Sequence, residues 1–176
     1  SGVLLTNADA KALGLVDKFG DGHYIATVDH VVDVPQDYAV VFYDPSSSEF
    51  DENAIERAEI IATEPEKDLA ILKISNKPLS AKGSKLVESI DEASIGDDVQ
   101  AVGHPNSMWW TYTRGYISQF RESYEWFYDD DSPRMQADVV QTQTPISTGN
   151  SGGPLFTQNG DVLGLNAFGD PEFQSI

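Results

Sequence analysis

A chain of 176 residues with no Cys, 40% hydrophobic and 23% charged residues can build one domain, or two half-domains sharing a core, and is too apolar to stay unfolded. The absence of Cys excludes disulfides, thiolate metal sites, iron–sulfur clusters and thiol nucleophiles, so a nucleophile must be oxygen or nitrogen. The net charge of -18, shared by both halves, makes nucleic acid and anionic membrane poor partners, and no apolar run approaches the roughly 20 residues of a membrane span.

Short runs rich in Val, Ile, Tyr and Phe, punctuated by Gly, Asp, Asn and Pro, predict an all-β chain. In order, strands are expected at Val3 to Thr6, His23 to Thr27, Ala39 to Tyr43, Ile60 to Thr63 and Leu69 to Ile74, then at Asp98 to Val102, Thr111 to Ser118, Asp138 to Gln141, Gly152 to Thr157 and Val162 to Asn166. Helical candidates are Asn7 to Leu15 and a few residues after Asn53. Gly20-Asp21-Gly22 and Gln158-Asn159-Gly160-Asp161 are hairpin turns, because each supplies residues that tolerate positive φ between apolar runs. Ser75 to Lys85 is polar and reads as the connector between two β units, 1–80 and 81–176, packed as a sandwich or barrels. Glu122 to Arg134 reads as a long loop carrying Tyr124, Trp126, Phe127, Tyr128 and the Asp129-Asp130-Asp131 run. The start lacks the basic and apolar regions of a signal peptide, so the segment reads as mature or trimmed.

The most informative string is Thr148-Gly149-Asn150-Ser151-Gly152-Gly153-Pro154-Leu155. A Ser hydroxyl that attacks a carbonyl projects from a tight turn whose N–H groups can face the oxyanion, and Gly permits that backbone. A bare Gly-x-Ser-Gly-Gly is equally compatible with an ordinary turn. Two further strings favour chemistry. Tyr24 to Val32 is a strand ending in His30, and Lys67 to Ile74 places Asp68 before an apolar strand. A Ser of ordinary acidity needs a base, and the base needs a carboxylate to fix its tautomer. His30, Asp68 and Ser151 occur in that order, with His and Asp in the first unit and Ser in the second, so their meeting place is the cleft between the units.

With these strings the sequence resembles the trypsin-like serine peptidases of chymotrypsin fold, and within them the bacterial HtrA/Deg-type proteases. Gly149 to Leu155, Asp68 to Leu72 and Thr27 to Val32 match the family's three motifs. Ala101 to Pro105, Thr113 to Ser118, Gln141-Thr142 and Gly160 to Asn166 are similar to further family segments. The resemblance implies two six-stranded-type β-barrels with the site between them and the second barrel possible only in part at the C-terminus. It implies Ser151 as nucleophile, His30 as general base and then acid, Asp68 as the orienting group, and the N–H groups of Gly149 and Ser151 as the oxyanion hole, with no metal or organic cofactor. It also implies polypeptide substrates, an extracytoplasmic setting, a role in protein quality control and assembly as a homotrimer.

By the same resemblance Pro145, six residues before Ser151, floors the primary specificity pocket, followed by Ile146, with Thr148, Asn166, Ala167 and Phe168 as further substrate contacts. A pocket without a counter-charge disfavours a desolvated cation, so an uncharged apolar residue before the scissile bond is expected. The chain departs from the family in an extra stretch at Asn7 to Val16, read as a surface insertion, and in the aromatics of Glu122 to Arg134, read either as a solvated loop or as a regulatory one. Both ends look clipped, and no PDZ module follows Ile176.

His23 and His104 with nearby acids lack metal-ligand spacing, and the Asp run lacks the spacing of a calcium loop. Trp109-Trp110 suits a substrate subsite or barrel-end packing equally. The rival to an active endopeptidase is a catalytically silent protease-like binding module.

Overall fold

The computed structural model describes residues 1–34, 36–44, 55–129, 133–170 and 174–175. β1 (Val3–Leu4) leads through helices α1 (Asn7–Ala12) and α2 (Leu15–Phe19) to β2 (His23–Thr27), β3 (Tyr38–Val41), β4 (Ile55–Glu64) and β5 (Leu69–Ile74). These strands form an antiparallel sheet in the order β1-β2-β5-β4-β3. β6 (Asp98–Gly103), β7 (Thr111–Trp126), β8 (Met135–Thr142), β9 (Pro154–Thr157) and β10 (Val162–Leu165) form a second, in the order β10-β9-β6-β7-β8. β11 (Gly169–Asp170) and β12 (Gln174–Ser175) make a two-stranded ribbon. The all-β expectation of two barrel-like sheets therefore holds, with five strands in each among the described residues.

β5 lies inside the first sheet with Ala70, Leu72 and Ile74 turned to one core, and β2 beside it buries both faces, Tyr24 in one cluster and Ile25 in another. Ile25, Val32, Ala58, Ala70, Leu72 and Ile74 fill that core, and Val99, Ala101, Ile117 and Leu155 fill the other. A third cluster contains Val3, Leu5, Ala10, Leu15 and Tyr24 from the first half together with Val162 from the second. It fixes one sheet against the other, which sets the distance across the cleft. The Ser75 to Lys85 segment is stitched to both sides, since Ser84 donates its N–H to Leu4 and Lys85 accepts from the Val162 N–H.

Several expectations change. The single helix expected over Asn7 to Leu15 is two helices broken before Leu15, and the stretch is no surface insertion, because Ala10 and Leu15 are buried in the joining cluster. Thr6 starts α1 as its N-cap, its side chain accepting from the Asp9 N–H at 3.1 Å. The helix expected after Asn53 is instead strand from Ile55, while residues 53 and 54 lie outside the described residues. β7 runs eight residues beyond Ser118, so the connection to β8 covers only Phe127 to Arg134. Its continuation is a polar, largely exposed ribbon paired to β8, with register shifts at Ile117/Gln119 and Arg121/Tyr124. Asp130 and Asp131, like Phe173 and Ile176, lie outside the described residues.

Candidate active site

His30 and Asp68 meet because β2 and β5 are hydrogen-bonded neighbours, with Thr27 opposite Ala70 at the shared end. Beyond Thr27 the chain turns through a 3-10 segment, Asp29–Val31, that carries His30. Asp68 ends the 3-10 segment Pro65–Lys67 in the left-handed region at φ 54, ψ 47, a conformation Asp tolerates better than most residues. Asp68 Oδ2 stands 2.8 Å from His30 Nδ1, and Asp68 Oδ1 accepts the His30 backbone N–H at 2.9 Å. The Asp68 side chain is 1% exposed and that of His30 26%. Burial alone would push the Asp68 carboxyl up, but hydrogen bonds from the His30 ring, the Tyr128 hydroxyl and the His30 N–H outweigh it and hold the group below the ordinary carboxylate range.

Ser151 comes from the loop between β8 and β9. Asn150 donates its N–H to Ser147 at 3.0 Å, Gly153 donates to Asn150 at 2.9 Å, and Gly152 donates to Asn166 at 2.8 Å, winding the loop tightly. Gly149 lies at φ +103 and Gly152 at φ +77, where a Cβ would stand 2.2 Å from the His104 carbonyl oxygen and 2.1 Å from Thr27 Oγ1 respectively. Only glycine fits at either position. Among the described residues neither the Gly149 nor the Ser151 N–H donates to a protein acceptor, so both are available to a developing oxyanion.

His30 and Ser151 line one pocket of about 280 Å³, together with Tyr128, Ile146, Ser147, Thr148, Asn150, Asn166, Ala167 and Phe168. Among the described residues no hydrogen bond joins Ser151 Oγ to the His30 ring. Such contacts are often loose before substrate arrives. Of the residues expected to contact substrate, Ile146, Thr148, Asn166, Ala167 and Phe168 are here. Pro145 is not: it is exposed, because Thr144 points inward, fully buried and bonded to Thr142, and the extended chain alternates. The wall at Phe168 is braced by β7, whose Trp126 stacks on it at 4.7 Å and 19° and whose Tyr124 stacks at 6.1 Å and 11°.

Tyr128 was not singled out as a site residue, yet its hydroxyl donates to Asp68 Oδ2 at 2.6 Å and lies 2.9 Å from His30 Nδ1. The only hint in the sequence was the aromatic clustering of its loop. Trp109 and Trp110 pack on the His104 ring at 4.9 and 4.7 Å, and neither lines the Ser151 pocket. Among the described residues no three His, Asp or Glu side chains are grouped to hold a metal ion. None of the described helices is long and apolar enough to cross a membrane.

Comparison with known proteins agrees with this geometry. Residues 2–165 match the trypsin-like peptidase domain model. The chain is 34% identical over 146 residues to a probable periplasmic serine endoprotease DegP-like of Bartonella henselae, covering 81% of this chain and 25% of the relative. It is 32% identical to the serine protease Do-like HtrB of Bacillus subtilis, covering 85% and 31%. Among solved structures, the HtrA-type protease AlgW with decapeptide superposes with a TM-score of 0.67 at 27% identity, over 86% of this chain and 42% of that one. The chain thus spans about a quarter to a third of the length of these curated relatives. With two barrel-like sheets, a His–Asp pair at one lip and a Gly-rich Ser loop at the other, the chain belongs to the trypsin-like peptidase family, in its HtrA/Deg branch.

Proposed function

We propose that this chain is the protease domain of a serine endopeptidase, with units 1–80 and 81–176 carrying the two halves of its site. The observation that carries the reading is the buried Asp68 carboxylate bonded to His30 Nδ1 at the mouth of the pocket that holds Ser151. Ser151 Oγ attacks the peptide carbonyl carbon and its proton passes to His30 Nε2, while Asp68 holds the ring in the tautomer that leaves Nε2 free to accept. The carbonyl oxygen becomes an oxyanion facing the Gly149 and Ser151 N–H groups. Collapse breaks the C–N bond as His30 returns the proton to the departing amine, leaving an ester on Ser151. Water, deprotonated by His30, then attacks that ester and frees the acid and Ser151.

Specificity follows from the lining. Ile146, Ala167 and Phe168 supply apolar surface, and among the described residues no acidic side chain lines the pocket. An uncharged, small to medium apolar residue before the scissile bond fits a space of about 280 Å³, and a buried cation would lack a counter-charge. The name of the Bartonella henselae relative, a probable periplasmic serine endoprotease, supports polypeptide substrates and an extracytoplasmic setting. Work in protein quality control and assembly as a homotrimer rest on family resemblance alone.

A second reading, a catalytically silent binding module, draws on the missing Ser151 to His30 bond. Turnover separates the two. Peptides varied only at the residue before the scissile bond should be cleaved fastest with Ala, Val or Leu there, and Ser151→Ala should abolish cleavage. Fastest cleavage after Arg or Lys overturns the pocket assignment, and cleavage retained in Ser151→Ala overturns the nucleophile.

A further inference from the structure

The Asp68 carboxylate receives three donors, and one of them comes from the opposite half of the molecule. Oδ1 takes the His30 backbone N–H, while Oδ2 takes the His30 ring at 2.8 Å and the Tyr128 hydroxyl at 2.6 Å. An ionised carboxylate only accepts, and a His30 ring bonded to it through Nδ1 uses that nitrogen as a donor, so the single phenolic proton goes to Oδ2. The 2.9 Å between the Tyr128 hydroxyl and His30 Nδ1 follows from their sharing this oxygen. The Tyr128 ring also lies against the imidazole, with centroids 4.6 Å apart at 55°.

The segment that delivers Tyr128 is anchored. Trp126 is buried and stacked on Phe168, Phe127 is exposed, and Tyr128 returns to the cleft beside Ala167. Tyr128 keeps 40% of its surface exposed, but partial withdrawal of the hydroxyl from water, reinforced by its hydrogen bond to Asp68 and by the Asp68 charge, pushes the phenol up from its ordinary range, so it stays a proton donor wherever the site works.

We propose that Tyr128 is a positioning residue for the reaction: its hydroxyl fills the second acceptor site on Asp68 Oδ2 and its ring pins the His30 imidazole, so that the second sheet fixes the His–Asp pair of the first. This rests on the serine-peptidase reading above. Tyr128 does not touch the reacting atoms and acts through Asp68 and His30.

Tyr128→Phe removes the hydroxyl and keeps the ring. The downfield proton resonance of the His30–Asp68 hydrogen bond, assigned by its loss in Asp68→Asn, should move further downfield in Tyr128→Phe, because Oδ2 loses a competing donor. Recorded in a Ser151→Ala background, this signal needs no turnover. In parallel, kcat per site titrated with a fluorophosphonate should fall on the order of 10-fold with KM unchanged, the effect of losing a hydrogen bond to a charged group. A resonance that stays in place, or kcat/KM that rises in Tyr128→Phe, overturns the proposal, the latter by making Tyr128 a plug in the cleft. A wild type that takes no fluorophosphonate while the resonance still moves contradicts the peptidase reading and leaves the positioning contact established.

Discussion

A side chain on Gly149 would collide with His104: its Cβ would stand 2.2 Å from the His104 carbonyl oxygen, while the His104 N–H donates to the Gly149 carbonyl at 3.2 Å. Asn106 adds a bond from its N–H to Thr148 at 3.0 Å. The corner after β6 is therefore a template for the Ser151 loop, whose Gly149 and Ser151 N–H groups are the proposed oxyanion donors. Gly149→Ala should lower kcat by about 10²-fold or more and stability by about 1–3 kcal/mol. Ester hydrolysis and urea unfolding check it, and near-normal kcat would show that the loop adapts.

Asp68→Asn keeps the side-chain size and tolerates the left-handed backbone, but an amide can hold the His30 ring in the wrong tautomer. We expect kcat to fall on the order of 10⁴-fold with the fold retained by circular dichroism. A loss of tenfold or less would mean that Asp68 does not orient His30.

The same carboxyl makes stability depend on acid. Its folded value lies below the unfolded one of about 3.9, so its hydrogen bonds contribute fully above that pH and the contribution is lost as pH falls through the folded value. The stability difference between wild type and Asp68→Asn should shrink as the pH is lowered from about 5 through roughly 4 and below. Urea midpoints across that range measure it, and a difference that grows in acid would reverse the sign.

The strands His23 to Thr27 and Leu69 to Ile74 were legible to the residue, because each is a short apolar run between clear turn signals, alternating on one buried face in the second and buried on both faces at Tyr24 and Ile25 in the first. The N-terminal part of β4 and the far half of β7 were not. Ile55, Glu59 and most of Gln119 to Glu125 are exposed, so hydrophobic periodicity carries no signal and pairing across the ribbon decides the conformation. The structure brings His30, Asp68 and Ser151, each marked by a local motif, to one place, whereas no motif marks Tyr128, whose partners lie 98 and 60 residues away. Pro145 was misplaced for a related reason: which residues of an extended segment face the pocket depends on Thr144 being drawn into the core.

Trp126 couples the β7 ribbon to the pocket through Phe168. Trp126→Ala removes a buried indole and should cost about 3–5 kcal/mol in urea unfolding. With the Phe168 wall unbraced, KM for an apolar peptide should rise by a larger factor than kcat falls. Unchanged KM in the folded variant would show that the wall stands without the stack.

The proposed reaction makes Ser151 a nucleophile activated by His30 and Asp68. Reaction of the intact protein with a fluorophosphonate, read by mass spectrometry of the peptide containing Ser151, checks this. The expected result is a single adduct on Ser151 in wild type, much slower labelling in Asp68→Asn and none in Ser151→Ala. A folded wild type that takes no adduct, or an adduct that persists in Ser151→Ala, would contradict it.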